Sequence, residues 1–173
     1  MRNLFCPSWL DIDLSAIAHK IRRVREMEPE GTDMIAVVKA GRPYGHGVLP
    51  IAERARAEGV KLGRGQPCTR WSACGRAAIK GEILVLGAPP LGEELPAALR
   101  LRPTLTVFTA EQVERIAAAG GGRVHVKVET GMNRIGARPG RSFRPCWTRC
   151  GAANCNHDGI FSHLAVADED REG

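Results

Sequence analysis

The chain has 173 residues, of which 43% are hydrophobic and 25% charged, and its formal net charge is +6. This length suits one ordinary domain with a sizeable core, but it is shorter than the roughly 250 residues of a complete (β/α)8 barrel. No apolar run approaches the ~18 residues that a membrane span requires, and the N-terminus lacks a signal-peptide pattern, so we expect a cytoplasmic protein.

The predicted helices and strands alternate along the chain. Ile17, Ile21, Val24 and Met27 recur at helical spacing and predict an amphipathic helix with Ser15 as its N-cap. Further helices are predicted at 50–58, 89–99 and 109–119, the second of these after a proline turn and the third with a capping box. Apolar runs predict buried strands at 35–39 and 83–87, and further strands are predicted at 60–63, 104–108, 124–128 and 159–165.

This alternation predicts a parallel sheet with helical crossovers. About six βα units without a break favour an α/β fold of the TIM type, an incomplete (β/α)8 barrel. An open doubly wound sheet is the alternative, but no G-x-G-x-x-G motif follows the first strand. We therefore interpret residues 1–173 as a partial barrel that ends two units early.

Two segments, at 64–76 and 138–157, do not follow the alternation. They hold arginines without acids, and they contain Cys68, Cys74, Cys146, Cys150 and Cys155. The cysteine spacing matches no usual zinc motif, and a disulfide framework does not suit a cytoplasmic chain. Basic and aromatic residues do not interleave as in a single-strand nucleic-acid platform. We therefore expect no metal and no nucleic acid here, and interpret both segments as out-of-frame translation of a GC-rich gene.

Three motifs end predicted strands, where α/β barrels place their chemistry. They are A-V-V-K-A…Y-G-H-G at 36–47, V-K-V-E-T-G-M-N-R-I-G at 126–136 and G-I-F-S-H-L-A-V-A-D at 159–168. Spacing alone does not separate a functional Lys39 from a surface lysine that ends a core strand. Together with W-L-D-I-D-L-S-A-I-A-H-K-I at 9–21 and I-K-G-E-I-L-V-L-G at 79–87, the motifs resemble the N-terminal barrel of alanine racemases.

The resemblance implies pyridoxal 5'-phosphate as cofactor and racemisation of L- and D-alanine for peptidoglycan precursors. Lys39 matches the lysine that forms the aldimine with the cofactor and moves the substrate's alpha-proton. Tyr44 matches a tyrosine that reaches the cofactor phosphate, although the loop before it is one residue longer than in the family. Arg134 matches the arginine near the cofactor's phenolic oxygen and the substrate carboxylate. His163 matches the histidine beside the pyridine ring.

Each of these residues also has an ordinary interpretation. Arg134 could be a solvated arginine beside a glycine turn, and His163 a hydrogen-bonded core histidine. Lys127 matches a position that is carbamylated in some family members, where it braces the arginine, but it could equally be an ordinary strand lysine. We interpret His46 as a structural loop residue and Lys20 as part of a solvated helix face.

The family is homodimeric, and its second base is a tyrosine from a C-terminal β-domain of the partner subunit. The single tyrosine of this chain is Tyr44. We therefore expect that the C-terminal β-domain is absent and that the isolated chain does not racemise alanine. We also expect that no membrane is involved, since no apolar run is long enough to span one. Two alternatives stay open: a non-catalytic pyridoxal-phosphate-binding barrel of cofactor homeostasis, and a chain without activity because an open barrel exposes apolar edges.

Overall fold

A computed structural model describes residues 11–38, 48–64, 82–167 and 169. Within them, helices and strands alternate in the predicted way. The helices are α1 (Leu14–Met27), α2 (Val48–Ala57), α3 (Leu95–Leu99), α4 (Ala110–Ala118) and α5 (Phe143–Ala152). The strands are β1 (Ile35–Val38), β2 (Lys61–Arg64), β3 (Ile83–Val85), β4 (Thr104–Val107), β5 (Gly122–Lys127) and β6 (Cys155–Phe161).

The six strands form one parallel sheet in the order β1-β2-β3-β4-β5-β6. Each described strand therefore pairs with its neighbours in sequence, and the strand order never reverses. A doubly wound sheet would reverse its order at a switch point. The fold is the predicted α/β fold, an incomplete (β/α)8-type barrel, and the carboxyl ends of its strands share one rim.

The main core lies between the sheet and the helices that cover its outer face. Leu105 and Val107 of β4, and Val124 and Val126 of β5, are fully buried there. They pack against apolar residues of α3, α4 and α5 in one cluster. Ala52 and Ala55 of α2 form a smaller cluster with Val60, which precedes β2. The partly buried side chains packed against this cluster are Ile21, Met34, Ala36 and Val38. Burial of these apolar surfaces is the main favourable contribution to folding.

The two outermost strands of the described sheet leave apolar side chains in contact with solvent. Ile35 and Val37 of β1 are 40% and 50% exposed, and Ile160 of β6 is 50% exposed. β1 pairs only with β2, and β6 only with β5, among the residues described. Apolar side chains are therefore exposed at both ends of the described sheet.

Helix α1 differs from its prediction in two respects. Its N-cap is Asp13 and not Ser15, because the Asp13 carboxylate accepts hydrogen bonds from the amides of Ser15 at 2.8 Å and Ala16 at 3.2 Å. The predicted packing face was also too wide, since Val24 and Met27 are 41% and 72% exposed whereas Ala18 is fully buried. α1 packs on α2, where Ile21 lies against the cluster that contains Ala52 and Ala55.

Two predicted helix ends are confirmed. Thr109 caps α4 by accepting from the amide of Gln112 at 3.2 Å, and the Gln112 side chain accepts in return from the amide of Thr109 at 3.2 Å. Gly59 follows α2 with φ +74°. The amide of Val60 then donates to the carbonyl of Ala55 at 3.1 Å, which is the Schellman arrangement that a glycine permits.

The region at 138–157 contains ordered structure that the sequence prediction omitted. Helix α5 occupies the position due between β5 and β6, and it buries Cys146 and Cys150 in the main core. β6 begins at Cys155, whereas the prediction placed it at 159–165. A cysteine pair at i and i+4 faces the core in the same way as any pair of small apolar residues. In the segment 64–76, only Arg64 lies within the described residues.

Cys146, Cys150 and Cys155 are all buried free thiols. A hydrogen bond with Cys146, and then burial, raise the pKa of the Cys150 thiol, and burial raises the pKa of Cys155. In the part of the chain that the structure describes, no group of His, Cys, Asp and Glu side chains is arranged to hold a metal ion. None of the helices described is long and apolar enough to cross a membrane.

Candidate functional site

The site begins where β5 and β6 end together at the rim. The last residue pair of their parallel ladder is Lys127 with Phe161. From there the chain continues on one side as residues 128–137, which we call the rim loop, and on the other side as Ser162 and His163. The sequence motifs at 126–136 and 159–168 are therefore neighbours in space.

The rim loop closes on itself through backbone hydrogen bonds. The amide of Ala137 donates to the carbonyl of Lys127 at 2.7 Å, and the amide of Glu129 donates to the carbonyl of Ala137 at 2.9 Å. Gly136, with φ +143°, stands where this closure is tightest, since an added Cβ would lie 2.8 Å from the Glu129 nitrogen. A side chain at this position would force the two ends of the loop apart.

The Glu129 carboxylate organises the tip of the rim loop. One of its oxygens accepts from the amide of Gly131 at 2.7 Å, and the other accepts from the amide of Arg134 at 3.3 Å. Backbone hydrogen bonds, first from Asn133 and then from Gly131 and Arg134, hold the pKa of Glu129 below its usual value. Asn133 adopts the left-handed conformation with φ +52°, which asparagine tolerates better than most residues.

Lys127 lies beneath the rim loop and is only 3% exposed. Its ammonium donates to the carbonyl of Ile135 at 2.7 Å and lies 6.0 Å from the centroid of the Phe161 ring. Burial is the main reason that the pKa of Lys127 is lowered; the positive charge of Arg134 lowers it further, and Glu129 opposes both. Lys127 is therefore a strand lysine whose ammonium is enclosed by the rim loop.

A chain of hydroxyl groups joins the rim loop to the end of β6. Ser162 Oγ donates to the carbonyl of Val128 at 2.9 Å, and Thr130 Oγ1 lies 2.5 Å from Ser162 Oγ. Since the single hydroxyl proton of Ser162 goes to Val128, Thr130 must be the donor to Ser162. The two segments that carry the candidate residues are therefore fixed to each other.

Arg134 and His163 both point away from the core at this rim. Each is exposed, and neither side chain makes a hydrogen bond or ion pair with another described residue. A buried core histidine was the alternative interpretation of His163, and its exposure shows that this alternative is wrong. The rim thus presents a fixed positive charge, that of Arg134, and the imidazole of His163 to solvent.

Lys39, Tyr44 and His46 lie outside the described residues. β1 ends at Val38, which pairs with Arg64 of β2 at the carboxyl edge of the sheet. Lys39 is the next residue in sequence. The structure therefore brings together the two segments that follow β5 and β6, and it describes the chain that precedes Lys39 as far as Val38.

Sequence reasoning missed Glu129, Thr130 and Ser162, although all three lie inside the quoted motifs. A carboxylate two residues before a glycine, followed by an asparagine, is a signal for local side-chain-to-backbone bonding, and it could have indicated the Glu129 contacts. Nothing in the spacing of Thr130 and Ser162 indicates their mutual contact, because they are separated by a whole βα unit.

The fold and the rim define a class of protein. This is a parallel βα barrel with charged and polar side chains at the carboxyl ends of its strands, the place where barrel enzymes carry out their chemistry. A family model described as "Alanine racemase, N-terminal domain" matches residues 12–173. The chain belongs to this family.

Curated relatives extend the likeness over nearly the whole chain. An alanine racemase of Desulfovibrio desulfuricans is 35% identical over 168 residues, which cover 94% of this chain and 44% of the relative. An alanine racemase of Desulforamulus reducens is 36% identical over 171 residues, which cover 94% of this chain and 45% of the relative. The chain thus spans less than half the length of these relatives.

Solved structures agree on the fold. Alanine racemase of Clostridium difficile 630 in complex with cycloserine superposes with a TM-score of 0.84 at 27% identity, over 96% of this chain and 47% of that one. Alanine racemase of Bacillus anthracis with bound L-Ala-P superposes with a TM-score of 0.81 at 30% identity, over 96% of this chain and 45% of that one. The sequence-based family assignment is confirmed.

Proposed function

We propose that this chain supplies the pyridoxal-phosphate barrel of an alanine racemase, which interconverts L- and D-alanine. One observation carries the proposal: Arg134 is exposed, its side chain has no partner among the described residues, and it lies within a closed loop whose underside is fixed by the buried Lys127. A guanidinium held in this way, in a chain of this family, is suited to an anionic small molecule. Alanine is the substrate in this proposal, and its carboxylate is the group that Arg134 binds.

The residues present fit the cofactor. Arg134 carries a permanent charge whose donors have no other partner among the described residues, so they are available to a phenolate or carboxylate oxygen. His163 is exposed at the same rim, where an aromatic ring system could lie beside it. Lys39 and Tyr44 complete the proposed set. When bound, pyridoxal phosphate supplies an electron sink that stabilises negative charge at the alpha-carbon of an amino acid.

The protein's own part is to hold the substrate and move a proton. Arg134 orients the alanine carboxylate, and Lys39 accepts the alpha-proton and returns it. Lys39 needs an amine that is neutral near neutral pH, and positive charges nearby favour that form. Two cations of the described rim are Lys127, which ends β5, and Arg134, in the rim loop that follows it.

The proposal also includes the assembly and the setting. A homodimer, a second base on the opposite face of the substrate and a cytoplasmic location are inferred from the family resemblance. Since the chain spans 44% of the first relative's length, we expect the second base to come from outside these residues. The isolated chain is therefore expected to bind the cofactor without racemising alanine.

Titration with pyridoxal phosphate, followed by the change in its absorbance, tests the proposal. Wild-type protein should bind the cofactor at a single site, and Lys39→Ala should weaken binding at least about tenfold, which corresponds to ~1.4 kcal/mol. Lys20→Ala, on the exposed surface of α1, is the matched control and should bind as wild type does. Equal binding by the Lys39→Ala variant and the wild type would contradict the proposed site.

A further inference from the structure

The acid closest in sequence to Arg134 does not neutralise it. Both carboxylate oxygens of Glu129 accept backbone amides of the rim loop, at 2.7 Å from Gly131 and 3.3 Å from Arg134. No ion pair joins the Glu129 carboxylate to the Arg134 guanidinium in the described structure. Glu129 is therefore bonded to the main chain of Arg134, while the side chain of Arg134 stays available to a ligand.

The contacts to Glu129 fix the point from which the Arg134 side chain leaves the loop. A carboxylate that accepts several amides restrains the turn 129–134, and charged acceptors form the stronger class of hydrogen bonds. Two other contacts hold the base of the same loop: Lys127 bonds to Ile135, and the amide of Ala137 bonds to Lys127. The side chain of Arg134 then leaves from a backbone that is already ordered, which lowers the entropy that a ligand must remove on binding.

We propose that Glu129 is a positioning residue for Arg134: its carboxylate binds the amides of Gly131 and Arg134, orients the guanidinium towards the rim, and leaves its charge free for the ligand. The inference rests on the proposed function for the identity of that ligand, which is pyridoxal phosphate together with the alanine carboxylate. The loop geometry is independent of the proposed function, because it can be measured without any ligand.

The first test uses the ligand-free protein and the variants Glu129→Ala and Glu129→Gln. Nuclear magnetic resonance relaxation of the Arg134 Nε–H group reports how firmly the side chain is held, and amide hydrogen exchange reports the two loop bonds. In Glu129→Ala we expect roughly tenfold faster exchange at Gly131 and Arg134, with a less ordered guanidinium. In Glu129→Gln only one oxygen remains, so both effects should be intermediate.

A matched control separates this role from a general loss of stability. Glu111→Ala removes an exposed glutamate that pairs with Arg115 on α4, far from the rim loop in sequence. It should leave the Arg134 signals unchanged. If Arg134 Nε–H is as ordered in Glu129→Ala as in the wild type, the positioning role is wrong, whatever the stability of the variants.

The second test measures pyridoxal phosphate affinity in a double-mutant cycle with Arg134→Gln. If Glu129 acts through Arg134, Glu129→Ala weakens binding several-fold alone and has no further effect in the Arg134→Gln background. Tighter binding by Glu129→Ala would instead show that the carboxylate quenches the guanidinium, and would overturn the inference. A wild type that does not bind the cofactor refutes the proposed function, and the ligand-free measurements then still decide the role of Glu129.

Discussion

The ammonium of Lys127 donates to the carbonyl of Ile135 at 2.7 Å, so the last residue of β5 supports the rim loop directly beyond Arg134. Lys127 is also almost fully enclosed, with 3% of its surface exposed. A buried cation is costly unless its hydrogen bonds are satisfied. The hydrogen bond from Lys127 to Ile135 therefore links the stability of the barrel rim to the position of the candidate site.

Replacing Lys127 should change how stability depends on pH. Burial lowers the folded-state pKa of Lys127 from its ordinary value of 10.5. Between that lowered value and 10.5, the unfolded chain binds more protons than the folded chain, so this residue makes folding more favourable as pH rises through the window. In Lys127→Met that contribution is lost. Urea unfolding at a series of alkaline pH values is the measurement. As pH increases, the free energy of unfolding of the wild type should rise relative to that of Lys127→Met, while the control Lys20→Met should follow the wild type. Parallel curves for the wild type and Lys127→Met would contradict this.

The capping box of α4 should make a measurable contribution to stability. Thr109→Ala removes the acceptor for the Gln112 amide and should lower the free energy of unfolding by about 1 kcal/mol. Thr148→Ala, an exposed change on α5, should lower it far less. Urea denaturation of the two variants is the measurement, and an equal loss in both would show that the cap is not formed in solution.

The thiols of α5 and β6 should be protected from alkylation in the native protein. Cys146 and Cys150 are fully buried, and Cys155 is 8% exposed. A hydrogen bond with Cys146 and burial raise the pKa of Cys150, and burial raises the pKa of Cys155, so little reactive thiolate is present at these two positions. Iodoacetamide labelling mapped by mass spectrometry should modify these three positions much more slowly in native than in denatured protein. Similar rates in both states would place α5 outside the packed core.

Much of the fold could be predicted from the sequence because apolar residues recur in short segments bounded by glycines, prolines or polar turns. β3 is an apolar run, whereas β4 and β5 place apolar residues at alternate positions, and the apolar residues of all three strands are largely buried. The capping box at Thr109 and the helix end at Gly59 could be predicted because each depends on local geometry. These features depend on neighbours within a few residues.

Helix α5 could not be predicted in the same way. Its apolar contacts come from Cys146, Cys150 and Trp147, set among arginines that dominate the composition. The start of β6, at Cys155 to Asp158, is mostly polar, and a bulge shifts its register against β5. The proposal that segments 64–76 and 138–157 derive from another reading frame is tested by the nucleotide sequence: restoring a base at each edge should yield helix-patterned sequence.

The sequence motifs were sufficient to predict which residues carry the candidate site, but not how these residues are held. Arg134 and His163 follow from the family resemblance, and the structure places both at the exposed rim. The contacts of Glu129 and Ser162 could not be predicted. Those of Glu129 depend on a loop that folds back on itself, and those of Ser162 depend on contact between two strand ends that are far apart in sequence. Spacing along one segment carries no information about such contacts.

The central claim is that this barrel binds pyridoxal phosphate through Lys39. Sodium borohydride fixes the cofactor permanently to any lysine with which it has bonded, and peptide mapping by mass spectrometry then identifies that lysine. After incubation with one equivalent of pyridoxal phosphate, we predict that the label is found on the peptide that contains Lys39, and that Lys39→Ala takes up almost none. Label distributed over exposed lysines such as Lys20 and Lys61, unchanged in the Lys39→Ala variant, would contradict the claim.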